Sequence, residues 1–402
     1  MGAWEDEAEM TQINDVYLID AARTPFGRHR GGLSHIRTDD LAALPIRELT
    51  ARYEALEPES IDDVYLGNAN GAGEDNRNVA RMAVLLAGLP VTVPGISVNR
   101  LCASGAEAII QASRAVAVGD ARLVIAGGVE SMSRAPYVLP KPDERLPRSM
   151  EMFQTTIGWR MVNPKFPPEW TTSLGACAEK VAAELRIGRD DQDAWAARSH
   201  QRAAEAWESG VHEGFAFDVE GVHRDESIRP DSTVDTLRGL AAAFSRDGTV
   251  TAGNSSPIND GAIATFIGTR EVADQLGVRP LGRVVASATA AVEPDRFSVA
   301  PVPAIEKLLG RSGRQISEVD LWEINEAFAA MVLSVLHELP KIDSDRVNVN
   351  GGAIAIGHPL GASAPRVVVD LCRELRRRGG GTGVAAACIG VGQGQAVLVE
   401  VD

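Results

Sequence analysis

Aromatic and cysteine side chains are scarce in this sequence. Phe, Trp and Tyr make up 5% of its 402 residues, and there are four cysteines, none of them in a C-x-x-C pair. Cysteines that are few and unpaired in spacing do not indicate a disulfide framework or a zinc site. They fit a reducing compartment, so we expect a cytoplasmic protein without a metal ion.

Basic residues are also fewer than acidic residues. Lys and Arg number 40 against 55 Asp and Glu, and the formal net charge is −15. This charge argues against nucleic-acid binding, although a local basic patch could still bind an anionic small ligand. No apolar run is long enough to cross a bilayer, and the acidic residues 1–7 lack the apolar core of a signal peptide.

Strands and helices alternate in two series, over residues 16–127 and again from residue 282 to the end. This order predicts an α/β fold with mostly parallel sheets. The second series includes a predicted strand over residues 346–349. Between the series, residues 131–250 are loop-rich and then amphipathic, which indicates an insertion. We therefore predict an N-terminal half (1–130 with 251–277), an inserted loop domain (131–250) and a C-terminal half (278–402).

One cysteine, Cys102, lies where a short apolar strand meets a helix, in the segment SVNRLCASGAEAII. Unpaired N–H groups and the positive end of the helix dipole favour a thiolate there, and the thiolate is the nucleophilic form. The competing interpretation of any cysteine is a small buried hydrophobe. We interpret Cys177 and Cys372 in that way, since both lie within predicted helices. Three further histidines do not have the spacing of metal ligands, and we expect their side chains to be solvated: His200, His212 and His223.

Three further clusters follow predicted strands: NEAFA from Asn325, GGAIAIGHPLGA around His358, and CIGVGQG from Cys388. Ligands of parallel α/β sheets bind at the carboxyl ends of strands, so one pocket could collect these side chains with Cys102. A nucleophilic thiolate needs a proton acceptor, which His358 could be, and a second thiol could move a proton on another substrate atom. Metal binding is the alternative, but no two of these residues share ligand spacing.

Together these motifs resemble the thiolases, that is, 3-ketoacyl-CoA thiolases and acetyl-CoA acetyltransferases. RTPFG from Arg23 and TAGNSSPINDGA from Thr251 add to the resemblance, which spans almost the whole chain in the family's order. It implies two stacked βαβαβαββ halves that form a layered α/β/α/β/α core with an inserted loop domain. It also implies a homodimer or homotetramer.

The resemblance implies catalytic roles. Cys102 would carry the acyl group as a thioester, and His358 would activate it and share an oxyanion hole with a water held by Asn325. Cys388 would be the acid/base at the α-carbon of acetyl-CoA. The backbone N–H groups of Cys102 and Gly390 would form a second oxyanion hole.

Coenzyme A, as a substrate rather than a permanently bound cofactor, would lie across the inserted segment. The residues that the resemblance assigns to its binding are Ser256, Arg229, Phe244, Ala252 and Phe328. The sequence departs from the family's usual glycines at Ala364, Pro257 and Ala300. These departures affect the expected fit of the pantetheine and the acyl pocket.

The implied activity is reversible, ping-pong cleavage of a 3-ketoacyl-CoA by coenzyme A, which yields acetyl-CoA and a shortened acyl-CoA. We expect a degradative enzyme of fatty-acid β-oxidation. Alternatives within the family are an acetoacetyl-CoA-forming acetyl-CoA acetyltransferase and a β-ketoadipyl-CoA thiolase, a branch that TTIGWR at residues 155–160 resembles. Alternatives outside it are a catalytically silent scaffold or carrier and a decarboxylating ketoacyl synthase.

Overall fold

A computed structural model describes residues 13–402. The acidic residues 1–7 therefore lie outside the described part. The strands are β1 (Tyr17–Arg23), β2 (Gly27–Arg28), β3 (Asp63–Gly67), β4 (Ile96–Val98), β5 (Leu123–Ser131), β6 (Tyr137–Val138), β7 (Phe153–Gln154), β8 (Asn259–Gly268), β9 (Gly282–Ala291), β10 (Leu321–Ile324), β11 (Gly381–Ile389) and β12 (Gln393–Val401). The helices are α1 (Thr38–Ala51), α2 (Val79–Leu86), α3 (Ser104–Ala117), α4 (Leu174–Leu185), α5 (Arg189–Glu208), α6 (Val234–Arg238), α7 (Arg270–Gln275), α8 (Pro301–Ser312), α9 (Ala329–Glu338), α10 (Ala353–Ile356) and α11 (Leu360–Arg377).

The sheet order shows that the fold is duplicated. The strands of the first half lie in the order β1-β8-β5-β3-β4, and the second half repeats this order as β9-β12-β11-β10. A single parallel bridge from Trp322 to Val347 takes the place of β4 in the second half. The predicted strand over residues 346–349 is therefore wrong, because residues 344–346 form a 3-10 turn and only Val347 pairs.

Parallel and antiparallel pairs occur in both halves, so the prediction of mostly parallel sheets is wrong. Pairs β3–β4, β3–β5 and β10–β11 are parallel, whereas β1–β8, β5–β8, β9–β12 and β11–β12 are antiparallel. The physical reason is the connection: only a strand that is followed by a crossover helix can return parallel, and β11 turns directly into β12. The halves join where Tyr17 of β1 pairs with Arg283 of β9.

Helices lie in three layers around the sheets. Helices α3 and α11 pack together in the middle, α1 and α2 cover one outer face, and α8 and α9 cover the other. Side chains alternate accordingly along β5: Leu123 and Ile125 join the α1–α2 core, and Val124 and Ala126 join the α3–α11 core. All residues of β5 are buried, which explains its apolar run. This is the predicted α/β/α/β/α layering.

The insertion between β5 and β8 packs on both halves of the molecule. Helix α5 sends Trp195 Nε1 and Ser199 Oγ to the buried carboxylate of Glu326, at 2.9 and 2.6 Å. The segment that follows α5 folds back over it and buries two histidines that we expected to be solvated. His200 Nδ1 accepts the Arg229 N–H at 3.1 Å, and the His212 ring lies 4.8 Å from that of Trp207. His223 is exposed, as predicted.

Candidate active site

Cys102 lies in a 3-10 turn, Leu101–Ala103, directly before α3. Leu101 has a φ of +47°, a left-handed conformation that is costly for a branched side chain. Two side chains stabilise it: Asn99 Oδ1 accepts the Leu101 N–H at 2.9 Å, and Ser104 Oγ donates to the Leu101 carbonyl at 2.6 Å. The cysteine is 7% exposed. A strained turn thus presents its thiol at the N-terminus of a helix, as the sequence predicted.

The thiolate is nevertheless disfavoured in this structure, contrary to our expectation. Burial raises the pKa of Cys102 to about 11, and the charge of Glu130 adds to the increase. N–H groups of Gly390 and of Cys102 itself act in the opposite direction and have the smaller effect. Since desolvation outweighs the helix terminus, the thiol must lose its proton to a base during reaction.

A second buried thiol lies beside the first. Cys388 is the penultimate residue of β11, and burial together with the nearby charge of Cys102 holds its pKa well above the usual range. The turn after β11 brings the Gly390 N–H to the Cys102 sulfur. A Cβ at Gly390 would lie 3.4 Å from the Leu101 side chain. That is an ordinary van der Waals distance, so the turn does not require glycine at this position on steric grounds.

His358 precedes α11 and is neutral at physiological pH, because burial lowers its pKa to about 4. Its backbone N–H donates to Asn259 Oδ1 at 3.0 Å, and Nδ1 lies 2.7 Å from Ser363 Oγ. The Ser363 hydroxyl donates to the Pro359 carbonyl at 3.1 Å, so it accepts the Nδ1 proton. This tautomer leaves a lone pair on Nε2, which is the arrangement of a proton acceptor.

Asn325 follows β10 and lies against the His358 ring. Its amide nitrogen is 3.5 Å from both ring nitrogens, so it lies over the ring rather than in line with one lone pair. Its Oδ1 atom is buried and has no hydrogen-bond partner within residues 13–402. That acceptor can bind a water molecule or a substrate group.

Sequence reasoning missed Glu130, which is buried next to these groups. Its carboxylate accepts the N–H groups of Ala69, Asn70 and Gly361 at 2.9, 3.1 and 3.0 Å. Burial raises its pKa to about 7. Glu130 thereby holds the loop after β3 to the start of α11. The signal that could have found it is its place as penultimate residue of a buried strand.

The predicted coenzyme A residues divide into two groups. The Ser256 N–H donates to the Ala327 carbonyl at 3.0 Å, and the Phe328 ring packs edge-on against Phe244 at 5.9 Å. These three predicted residues therefore meet, and Phe297, which we had not predicted, joins Phe328 at 6.1 Å. The other two predicted residues are not part of this group and are exposed, as Phe244 also is at 39%: Arg229 and Ala252.

Two departures from the family's glycines are accommodated by packing. Ala364 is buried in a small cluster with Ala103, Ala106, Ala387 and Ile389, immediately behind the Cys102 turn. Ala300 is fully buried and caps the start of α8. Pro257 is partly buried.

Other features bear on ligands. All four cysteines are buried free thiols, and Cys177 and Cys372 pack in the core as predicted. Among residues 13–402, no group of three or more His, Cys, Asp or Glu side chains is placed to hold a metal ion. None of the helices in this range is long and apolar enough to cross a membrane.

A duplicated five-layer fold with two adjacent buried thiols and a neutral histidine agrees with the resemblance to the thiolases. Family profiles agree: "Thiolase, N-terminal domain" matches residues 16–271, and "Thiolase, C-terminal domain" matches residues 278–401. The chain belongs to the thiolase family and is an acyltransferase.

Known proteins are similar over nearly the full length. A 3-oxoadipyl-CoA/3-oxo-5,6-dehydrosuberyl-CoA thiolase of Escherichia coli is 49% identical, over 96% of this chain and 100% of that protein. A β-ketoadipyl-CoA thiolase of Pseudomonas aeruginosa is 48% identical, over 96% and 99%. The crystal structure of human mitochondrial 3-ketoacyl-CoA thiolase in complex with CoA superposes with a TM-score of 0.90 at 34% identity, over 98% and 99% of the chains.

Proposed function

We propose that this thiolase cleaves 3-oxoadipyl-CoA with coenzyme A to acetyl-CoA and succinyl-CoA. The observation that carries the substrate is the full-length similarity to relatives named for β-ketoadipyl-CoA at 45–49% identity. The degradation of fatty acids by β-oxidation stays a prediction, and the names of these relatives favour the dicarboxylic substrate over it.

In the first half-reaction, the Cys102 sulfur attacks the 3-keto carbon while His358 Nε2 takes the thiol proton. The C2–C3 bond then breaks, and its electron pair stays on C2 as the enolate of acetyl-CoA. Cys388 donates a proton to C2, and acetyl-CoA leaves a succinyl thioester on Cys102. The buried thiol of Cys102 and the neutral imidazole of His358 support this order, because the thiol carries a proton that the imidazole can accept.

In the second half-reaction, the thiol of coenzyme A loses its proton to Cys388 and attacks the thioester. Succinyl-CoA forms and the Cys102 sulfur leaves, taking a proton back from His358. The N–H groups of Cys102 and Gly390 stabilise the oxyanion, and a water on Asn325 stabilises the enolate with His358. Such donors contribute about 3–4 kcal/mol each to lowering the barrier.

The remaining expectations belong to the same proposal. Coenzyme A enters as a substrate along Ser256, Phe244 and Phe328, with Arg229 and Ala252 at the mouth of its site. The protein works as a homodimer or homotetramer in the cytoplasm. No permanently bound cofactor takes part.

Steady-state thiolysis tests the substrate. The purified protein is given 3-oxoadipyl-CoA, acetoacetyl-CoA or 3-oxohexadecanoyl-CoA with coenzyme A, and acetyl-CoA and the second acyl-CoA are separated and quantified. We expect the highest kcat/KM with 3-oxoadipyl-CoA. A higher value with either other substrate would reject the proposed substrate and keep the thiolase activity. Cleavage of none of them would favour the silent carrier.

A further inference from the structure

Arg160 of the inserted segment lies next to the active-site loops, and no acidic side chain in the described part of the chain pairs with it. Its guanidinium is partly buried, and a terminal nitrogen donates one hydrogen bond to Asn70 Oδ1 at 3.1 Å. No ion pair to Arg160 occurs among residues 13–402. A guanidinium has five N–H donors in a fork that matches a carboxylate. Most of its donors are therefore available to a ligand.

Arg160 belongs to a segment that is bonded to the loop after β3. Asn70 Nδ2 donates to Thr155 Oγ1 at 2.9 Å, and that hydroxyl donates to the Pro136 carbonyl at 2.6 Å. Thr155 is 4% exposed, so the attachment is buried. Both ends of the segment from Thr155 to Arg160 therefore hold the same asparagine.

The loop after β3 in turn contacts the nucleophile's surroundings. The Asn70 N–H donates to Glu130, whose charge acts on Cys102. The neighbouring Ala69 carbonyl accepts the Asn99 amide at 2.9 Å, and Asn99 holds the strained turn of Cys102. Since β3 lies beside β4, Arg160 is at the same carboxyl edge of the sheet as the thiol.

Two other arginines in this region are already neutralised, which sets Arg160 apart. Arg100 donates to Glu107 at 2.8 Å, and Arg134 donates to both oxygens of Glu74. A positive charge that is partly removed from water and has no counterion favours an anionic ligand.

We propose that Arg160 binds the distal carboxylate of the acyl chain and thereby selects 3-ketoacyl-CoA substrates that end in a carboxylate. This inference rests on the proposed function, because a 3-oxoadipyl group carries such a carboxylate two methylene groups beyond the reacting keto carbon. Arg160 acts on specificity through the acyl chain and takes no part in breaking the C–C bond.

The test uses a matched pair of substrates. 3-Oxoadipyl-CoA and 3-oxohexanoyl-CoA have acyl chains of equal length and differ in whether a carboxylate or a methyl group ends the chain. The variants are Arg160→Met, Arg160→Lys and, as a control, Arg148→Met, which removes an exposed arginine of the same inserted segment. Both kcat and KM are measured for the wild type and each variant with each of the two substrates.

We expect Arg160→Met to lower kcat/KM for 3-oxoadipyl-CoA by roughly 100-fold, mainly through KM, and to leave 3-oxohexanoyl-CoA unchanged. Arg160→Lys should lose about tenfold, because an ammonium keeps the charge without the fork. Arg148→Met should match the wild type on both. Activity on 3-oxohexanoyl-CoA also shows that the variant is folded.

The inference fails if Arg160→Met keeps the wild-type preference, or if it weakens both substrates equally, which would indicate a purely structural bond to Asn70. The proposed function fails separately if the wild type itself prefers 3-oxohexanoyl-CoA.

Discussion

Asn68 directly follows β3 and Glu130 is the penultimate residue of β5, while in the second half Asn325 directly follows β10 and Cys388 is the penultimate residue of β11. These positions correspond because the strand order is the same in both halves. Asn68 and Glu130 bond to backbone groups, whereas Asn325 Oδ1 has no partner within the described residues. In the first half these two positions thus stabilise loops, whereas in the second half they leave polar atoms available for chemistry.

The helices that follow complete the comparison. Cys102 precedes α3, His358 precedes α11, and these equivalent helices pack together between the sheets. Their first turns are very close: a Cβ at Gly105 would lie 2.3 Å from the Gly361 carbonyl oxygen. Duplication therefore brings together the helix starts that follow the proposed nucleophile and the proposed base, from positions about 250 residues apart, a separation that only the fold can bridge.

The largest effect should come from the nucleophile itself. Cys102→Ala removes the atom that would carry the acyl group, so we expect thiolysis to fall by about 10⁴-fold or more. The variant should also fail to form the acyl-enzyme, which mass spectrometry detects after the protein is mixed with substrate. Cys372→Ala is the matched control, since that thiol is buried in the core away from these loops. An acyl adduct on Cys102→Ala would place the nucleophile elsewhere.

Cys388 and Glu130, the penultimate residues of β11 and β5, should respond to substitution in opposite ways. Cys388→Ala should lower kcat by about 10²–10⁴-fold, the usual contribution of a general acid or base, with little change in the melting temperature. Glu130→Gln should instead lower the free energy of unfolding by about 2–3 kcal/mol, because one amide oxygen cannot replace a carboxylate that accepts three N–H groups. Chemical denaturation and thiolysis of both variants check this. Equal loss of stability would contradict the division of roles.

Substitution of Asn325 and of Asn68 tests the same contrast between the two halves, with smaller expected effects. Asn325→Ala should reduce kcat roughly 10–100-fold at nearly unchanged stability, since its buried oxygen makes no hydrogen bond with any of residues 13–402 that folding would lose. Asn68→Ala should cost about 1 kcal/mol of stability through its lost bond to the Val129 carbonyl, with activity within a few-fold of the wild type. If Asn68→Ala impairs turnover more than Asn325→Ala does, the division of roles between these two asparagines is wrong.

Local patterns were sufficient to predict most of this frame. Alternating apolar runs and glycine or proline breaks predicted the two series of strands and helices but not the short elements β2, β6, β7, α6, α7 and α10. Motifs at strand ends predicted that Asn325 and His358 would meet. The errors have tertiary causes. Val347 pairs through one bridge only, so its segment has an apolar pattern without a ladder. His200 and His212 are buried by chain that folds back from distant residues, which no local pattern records.

Protonation states were the least predictable part of the site. A helix N-terminus can be predicted from sequence and lowers the pKa of a thiol. Desolvation of the thiol, in contrast, depends on which parts of the fold cover it. Burial decides the sign for Cys102, because desolvation has the largest influence on the pKa of its thiol. Glu130 was missed for the same reason, because its importance lies in three backbone contacts from other segments.

The pH dependence is the smallest effect and tests the pairing of a protonated thiol with a neutral base. With the pKa of His358 lowered to about 4 and that of Cys102 raised to about 11, the reactive combination persists between these values. We therefore expect kcat/KM to vary by less than about threefold between pH 5.5 and 8, and to fall only as pH drops toward 4, where His358 gains a proton and ceases to accept one. A limb near pH 6.5 that persists in Glu130→Gln would contradict a neutral, desolvated imidazole; the variant is needed because the pKa of Glu130, raised to about 7, lies in the same range.

Acid unfolding has to be separated from this titration. Burial also lowers the pKa values of His200 and His212 to about 4. Unfolding exposes these rings, which then bind protons below about pH 6.5, so each of them makes stability fall as the pH drops from there toward 4. Brief exposure to acid, with activity regained on return to pH 7, assigns the loss to His358 protonation. Loss that is not regained assigns it to unfolding, through histidines that the inserted segment covers.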